Sequence, residues 1–190
     1  MTEQEILEIF KRTGAILEGH FLLSSGLHSN RYFQMAKVLQ YPDIASRLAG
    51  DLAARFNGRD IDAVIGPAIG GIVLSYALAE KIGVRSMFAE RENQTMSLRR
   101  GFIIEKGENI LVCEDVITTG GSVSELIEVV KSYDGKIAGV CCLVQRGNHN
   151  LNYPVEFLVK MEVENHIKDQ CPYCKSGVPL VKPGSRKIST

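Results

Sequence analysis

The stretch Ile110-Leu111-Val112-Cys113-Glu114-Asp115-Val116-Ile117-Thr118-Thr119-Gly120-Gly121-Ser122 constrains the chain more than any other. An apolar run meets two adjacent carboxylates, then a hydroxyl- and glycine-rich turn, and an amphipathic segment follows over residues 123–133. The order is strand, turn, helix. Gly120 and Gly121 permit positive φ and close approach. Successive N–H groups and the hydroxyls of Thr118, Thr119 and Ser122 can therefore converge on a phosphate at the positive end of the helix. Glu114 and Asp115 come too early to touch that anion. They are placed to accept hydrogen bonds from sugar hydroxyls and to balance positive charge on the sugar. The segment has neither the lysine of a P-loop nor the Gly-x-Gly-x-x-Gly of a dinucleotide fold. Two acids ending a buried strand would be a poor choice for packing alone.

The rest of the chain repeats the alternation. Thr2-Glu3-Gln4-Glu5 is a capping box before Ile6, Leu7 and Phe10, so residues 1–14 read as a helix and not as a signal peptide. Residues 15–38 are a mixed stretch with short apolar runs. Pro42 pre-sets a helix whose Ile44, Leu48, Leu52 and Phe56 recur every fourth residue and which Gly58 ends. Short strands are expected at 63–65, 84–89, 110–112, 137–144 and 155–159, with helices at 72–82 and 123–133. Strands separated by helices define an α/β chain with a mostly parallel sheet, which gathers loops at the carboxyl ends of its strands. No repeat, low-complexity segment or long linker divides it, so residues 1–190 form one domain.

Two further loops fall at that edge. Gly66-Pro67-Ala68-Ile69-Gly70-Gly71 lies between a buried strand and a helix and is a second candidate anion cradle. Residues 91–102 are polar and carry Arg91, Arg99 and Arg100. They read either as an exposed hairpin of solvated charges or as a mobile lid whose guanidinium groups close over a polyphosphate and exclude water. Arg91 directly follows its strand and is expected to be firmly held.

Composition removes several classes of function. Lysine plus arginine and aspartate plus glutamate each total 22, so no global field draws the chain to nucleic acid or membrane. No run approaches the length of a membrane span. Cys113, Cys141 and Cys142 lie in β-branched runs and read as reduced core thiols of a cytoplasmic protein.

Residues 110–122 resemble the phosphoribosyl pyrophosphate (PRPP) signature of type I phosphoribosyltransferases, and residues 66–71 resemble that family's pyrophosphate loop at a similar separation. Phe21-Leu22-Leu23-Ser24-Ser25-Gly26-Leu27-His28-Ser29-Asn30-Arg31-Tyr32-Phe33 is similar to the Ser-Gly-x-x-Ser plus aromatic pattern that orotate phosphoribosyltransferases place over the base, and Gln145-Arg146-Gly147 matches their carboxylate-binding arginine. The resemblance implies a type I phosphoribosyltransferase fold. That fold has a mostly parallel central sheet flanked by helices, a small N-terminal hood (about residues 1–40), a core (about 41–160) and a C-terminal tail (about 161–190). It implies transfer of ribose 5-phosphate from PRPP to N1 of orotate, with Mg²⁺ held mainly by substrate, in a homodimer whose lids cover each other's sites.

By the same resemblance, Thr118, Thr119, Gly120, Gly121 and Ser122 hold the 5-phosphate, and Glu114 and Asp115 the ribose. Ile69, Gly70, Arg91, Arg99 and Arg100 answer the pyrophosphate. Tyr32, Phe33, Thr118 and Arg146 answer orotate, since a guanidinium fork suits a planar carboxylate. Glu114, Asp115, Arg99 and Arg100 are the candidate catalytic groups. Many members carry lysines before the hood's Ser-Gly and in the pyrophosphate loop, and a histidine and lysines in the lid. Here those places hold Ser24, Gly70 and a lid with arginines, which supply charge but practically no protons. A purine-type phosphoribosyltransferase and a non-catalytic PRPP sensor share the phosphate loops and stay open as alternatives, although no helix-turn-helix extension or basic patch is visible.

The tail carries Cys171-Pro172-Tyr173-Cys174, half of a structural zinc site. His166 could add a third ligand or a second subunit could complete four; otherwise the motif is a redox pair or an ordered thiol turn. Lys182 and Arg186 could reach a neighbouring site.

Overall fold

The computed structural model describes residues 1–23 and 26–183; the expectations for Ser24 and Arg186 lie outside the described residues. Helix α1 (Glu3–Arg12) opens with the expected capping box, Thr2 and Glu5 reciprocally bonded. Strands β1 (Ile16–Leu22) and β2 (His28–Phe33) follow, then α2 (Ala36–Leu39) and α3 (Pro42–Ala53), with a single 3₁₀ turn to Phe56. The core continues as β3 (Ala63–Pro67), α4 (Gly70–Ile82), β4 (Arg85–Glu92), β5 (Thr95–Leu98), β6 (Asn109–Ile117), α5 (Gly121–Ser132), β7 (Lys136–Arg146) and β8 (Val155–Met161). The tail adds the two-residue β9 (Asn165–His166) and the short α6 (Pro172–Lys175).

The central sheet has the order β5-β4-β3-β6-β7-β8. Every pairing is parallel except β4 with β5, which forms an antiparallel hairpin at the edge. Period-2 alternation divides the strand residues between two faces. Val64, Leu111, Cys113, Cys141 and Leu143 pack with Ile6 and Phe10 of α1, Leu48 and Leu52 of α3, and Leu74 and Leu78 of α4. Ile65, Ile110, Val112, Val140 and Cys142 pack against Val123, Leu126, Ile127 and Val130 of α5. The result is three layers. Cys113, Cys141 and Cys142 are fully buried free thiols, and burial pushes each well above the ordinary thiol range, which makes them inert.

A second sheet, β1-β2-β9, forms the hood and is antiparallel throughout. Residues 15–38, which showed no clear periodicity, thus contain a hairpin, and the tail is stitched into it by His28↔His166 and Ser29↔Asn165. No helix among the described residues is long and apolar enough to cross a membrane.

Candidate active site

The parallel strands β3, β6 and β7 end at the same edge of the sheet. Ile65 pairs with Val112 and Ile117 with Gln145, so Pro67, the acid pair and Arg146 lie along one rim. Strand β6 is longer than expected and carries Glu114 and Asp115 within it. Both are partly exposed there, and among the described residues neither forms an ion pair. Burial pushes Glu114 well above the usual carboxylate range, with the adjacent Asp115 charge adding to it, and burial also raises Asp115. A crowded acid pair without a cation is poised to receive hydroxyl donors or a substrate-borne cation.

Gly120 adopts φ 87° as the residue preceding α5, and no side chain caps that helix, so its first N–H groups stay open to an anion. A Cβ on Gly120 would come 2.7 Å from the Leu151 side chain, so the turn tolerates only glycine. Thr118, Gly120, Gly121 and Ser122 of the expected phosphate turn line a cavity of about 40 Å³. Glu114, expected to stand clear of the anion, borders the same hollow, and Thr119 is not part of its lining.

The loop of residues 66–71 leads from β3 into α4 and contains a cis Ala68–Ile69 peptide. Its glycines are set by close packing: a Cβ on Gly66 would stand 2.5 Å from the Gly71 carbonyl, and one on Gly70 would stand 2.5 Å from Asp115 Oδ2. The two loops thus touch through Gly70 and Asp115. Ile69 is 85% exposed, as a residue contributing backbone to a ligand can be.

The arginine segment differs from expectation in its local structure. Arg91 does not follow β4; it lies within the strand, whose ladder continues to Glu92 and returns as β5 through Asn93 and Gln94, both at positive φ. That is the geometry of a two-residue hairpin turn, carried by Asn-Gln where Asn-Gly is commoner. Arg91 is firmly held, with Nε 3.2 Å and Nη2 2.9 Å from the Glu125 carboxylate and Nη2 3.5 Å from Ser122 Oγ at the start of α5. Arg100 donates to Glu90 at 2.8 and 3.2 Å, and Arg99 lies 3.3 Å from Glu92. Glu90 is held below its ordinary value by the Arg100 hydrogen bond. Arg99 and Arg100 are exposed and already paired, so polyphosphate would have to take them from Glu90 and Glu92.

Arg146 ends β7 half-buried beneath the hood. Its Nη2 donates to Ser29 Oγ at 2.9 Å and to Asn165 Oδ1 at 2.7 Å, and the guanidinium lies 5.8 Å from the centre of the Phe33 ring. Burial lowers its pKa, and among the described residues its Nε is buried without a partner. Among the same residues Asn30 Oδ1, on β2 of the hood, is also buried and unpartnered. An arginine with a spare donor beside an aromatic face suits a flat anionic ring. The Tyr32 ring centre lies 5.9 Å from that of Phe21, which ties its side chain to the hood hairpin. Sequence reasoning missed Asn165: it lies in a short tail strand with no periodicity, brought to Arg146 only by pairing with β2.

His166, offered as a metal ligand with Cys171 and Cys174, has its ring centre 6.5 Å from that of Tyr173 but is not one of the groups that converge with the two thiols. That group is His20, His28, Cys171 and Cys174.

A family model described as the phosphoribosyl transferase domain matches residues 36–169, the core without the hood hairpin or the end of the tail. The orotate phosphoribosyltransferase of Pelotomaculum thermopropionicum is 57% identical over 190 residues, covering 99% of this chain and all of that protein. That of Caldanaerobacter subterraneus subsp. tengcongensis is 53% identical at the same coverage. The crystal structure of orotate phosphoribosyltransferase from Aeropyrum pernix aligns with a TM-score of 0.68 and 28% identity, over 82% of this chain and 93% of that one.

Proposed function

The chain belongs to the phosphoribosyltransferase family, and we propose that it transfers ribose 5-phosphate from PRPP to N1 of orotate, giving orotidine 5′-monophosphate and pyrophosphate. The full-length likeness to orotate phosphoribosyltransferases supports this reading. The observation that carries it in the structure is Arg146, a hood-covered arginine whose Nε lacks a partner among the described residues, at the same sheet edge as the proposed phosphate turn.

The bond from C1 of ribose to the pyrophosphate oxygen breaks, and a bond from C1 to N1 of orotate forms. The turn of Thr118, Thr119, Gly120, Gly121 and Ser122 anchors the 5-phosphate. Glu114 and Asp115 accept from the ribose hydroxyls and stabilise the positive charge that develops on the sugar. The loop at Ile69 and Gly70, with Arg91, Arg99 and Arg100, receives the leaving group. The nucleophile is an easily deprotonated ring nitrogen, so no strong general base is required and catalysis is mainly positioning and electrostatics. Thr118, Tyr32 and Phe33 flank the base. The unpaired acids suit a substrate-borne Mg²⁺ bound through its waters, and that ion would spread charge on the departing pyrophosphate.

The working unit is a cytoplasmic homodimer with shared lids. Val73 and Tyr76, spaced for one helical face of α4, are exposed apolar residues that a second copy would cover. The decisive assay gives the purified protein PRPP, Mg²⁺ and an equimolar mixture of orotate, uracil, adenine, hypoxanthine, guanine and xanthine, with products read by mass spectrometry. Orotidine monophosphate is the expected dominant product. A purine nucleotide would overturn the reading of the hood, and PRPP binding without product would replace the enzyme with a sensor.

A further inference from the structure

We infer that His20, His28, Cys171 and Cys174 form a structural Zn²⁺ site that clamps the C-terminal tail onto the hood. The four residues come from two places that the fold brings together. His20 is near the end of β1 and His28 begins β2, whose hairpin pairs Leu22 with His28. Cys171 precedes α6 and Cys174 lies in its single turn, the i, i+3 spacing that points both sulfurs one way. Their ligand atoms lie within 4.8 Å of one another. His20 Nε2 is 2.8 Å from His28 Nδ1, 3.4 Å from Cys171 Sγ and 3.8 Å from Cys174 Sγ, and Cys174 Sγ is 3.3 Å from His28 Nδ1. A zinc tetrahedron with ordinary Zn–N and Zn–S bonds has edges of about 3.3 Å between nitrogens and about 3.6 Å between nitrogen and sulfur. The observed group has that size, with the nitrogen pair needing to part by roughly half an ångström.

The surroundings fit a metal better than a core. His20, His28 and Cys171 are buried. His20 Nδ1 lies 2.9 Å from the Val178 carbonyl, which can accept only if that nitrogen carries the proton; the Nε2 lone pair is thereby left facing the cluster, the outer contact typical of a zinc-bound histidine. Two thiolates and two neutral imidazoles around Zn²⁺ sum to zero charge, which suits burial, and the two thiol protons leave to solvent. Among the described residues the tail beyond β9 buries little apolar surface: Ile167, Val178, Leu180 and Val181 are all exposed. Its other fixings are a few backbone bonds, such as Val181 N–H to the His20 carbonyl at 2.8 Å. A metal is a common staple where apolar burial is this thin.

The clamp also bears on the active site, a consequence that rests on the proposed role of Arg146. Asn165, which holds the guanidinium, sits on β9, and β9 is kept against His28 and Ser29 of the hood. Zinc at the cluster fixes that register.

The test is metal analysis of the full chain, purified under reducing conditions without chelator. About one zinc per chain is expected. Cys171→Ser and His28→Ala should retain less than about a tenth of that, and His166→Ala should retain all of it. Should the first two variants fail to fold, a mercurial that modifies thiols should release the zinc from the unaltered protein stoichiometrically. Cobalt in its place should show the intense visible bands of a tetrahedral thiolate site. Less than about a tenth of an equivalent after incubation with Zn²⁺, or a Cys171–Cys174 disulfide seen as a loss of about two mass units, would overturn the proposal. Stripping zinc should raise the orotate KM severalfold and leave that for PRPP within about twofold; unchanged kinetics would sever the clamp from Arg146. Bound zinc in a protein inactive on orotate would leave the site standing and sink the substrate assignment.

Discussion

Glu114 and Asp115 share a problem that has a functional use. Burial makes each give up its proton reluctantly, and at Glu114 the neighbouring Asp115 charge adds to the effect, until a ligand brings compensating donors or a cation. An unfolded chain releases such protons near pH 4, while the folded chain keeps the Glu114 proton to a higher pH. Between those points the folded state binds more protons, so stability falls as pH rises. The denaturant midpoint of Glu114→Gln relative to the parent should therefore rise from about pH 4 to 8; a difference that stays flat with pH would assign the shift elsewhere. Asp115→Asn should lower turnover at least tenfold with the melting temperature unchanged or raised, and unchanged turnover would remove its electrostatic role. These residues were legible because strand, acids and turn are contiguous in sequence. His20, His28 and Asn165 were not, because their partners lie more than a hundred residues away, or across a strand pairing that no local pattern announces.

At the scale of elements, the site is two loops pressed together and a hairpin standing over them. The contact between loops is the Gly70 backbone against Asp115, where a Cβ has no space. Gly70→Ala should therefore push the carboxylate aside and cost at least tenfold in turnover, with a smaller effect on thermal stability than on rate. Full activity in that variant would show that the acid can move freely. The charges of residues 91–102 point to a lid or a solvated hairpin. Its strand β5, Thr-Met-Ser-Leu, is too short and polar to declare itself, and its arginine partners Glu90 and Glu92 went unnoticed. Because those pairs are exposed they are weak, and polyphosphate can outcompete them. Arg100→Ala should raise the PRPP requirement several-fold and leave orotate nearly unaffected; steady-state kinetics with each substrate varied would show the opposite if the hairpin served the base. The parallel strands and long helices, by contrast, followed their periodicity closely, since burial on both faces leaves them little freedom.

Across the whole molecule, hood, core and tail meet at one guanidinium. Arg146 comes from the core, Ser29 from the hood and Asn165 from the tail, so the base recognition proposed for Arg146 would belong to the assembled fold and not to one motif. The exposed apolar face of α4 argues that assembly extends to a second copy. Light scattering should give a dimer, and Tyr76→Glu should give a monomer with the same circular dichroism; a fully active monomer would remove the shared lid. If Arg146 reads the carboxylate of the acceptor base, initial-rate kinetics of Arg146→Ala beside the unaltered enzyme, with melting temperature as a control, should give at least a tenfold rise in the orotate KM with the PRPP KM within about twofold. Equal increases for both substrates, or none for orotate, would contradict it.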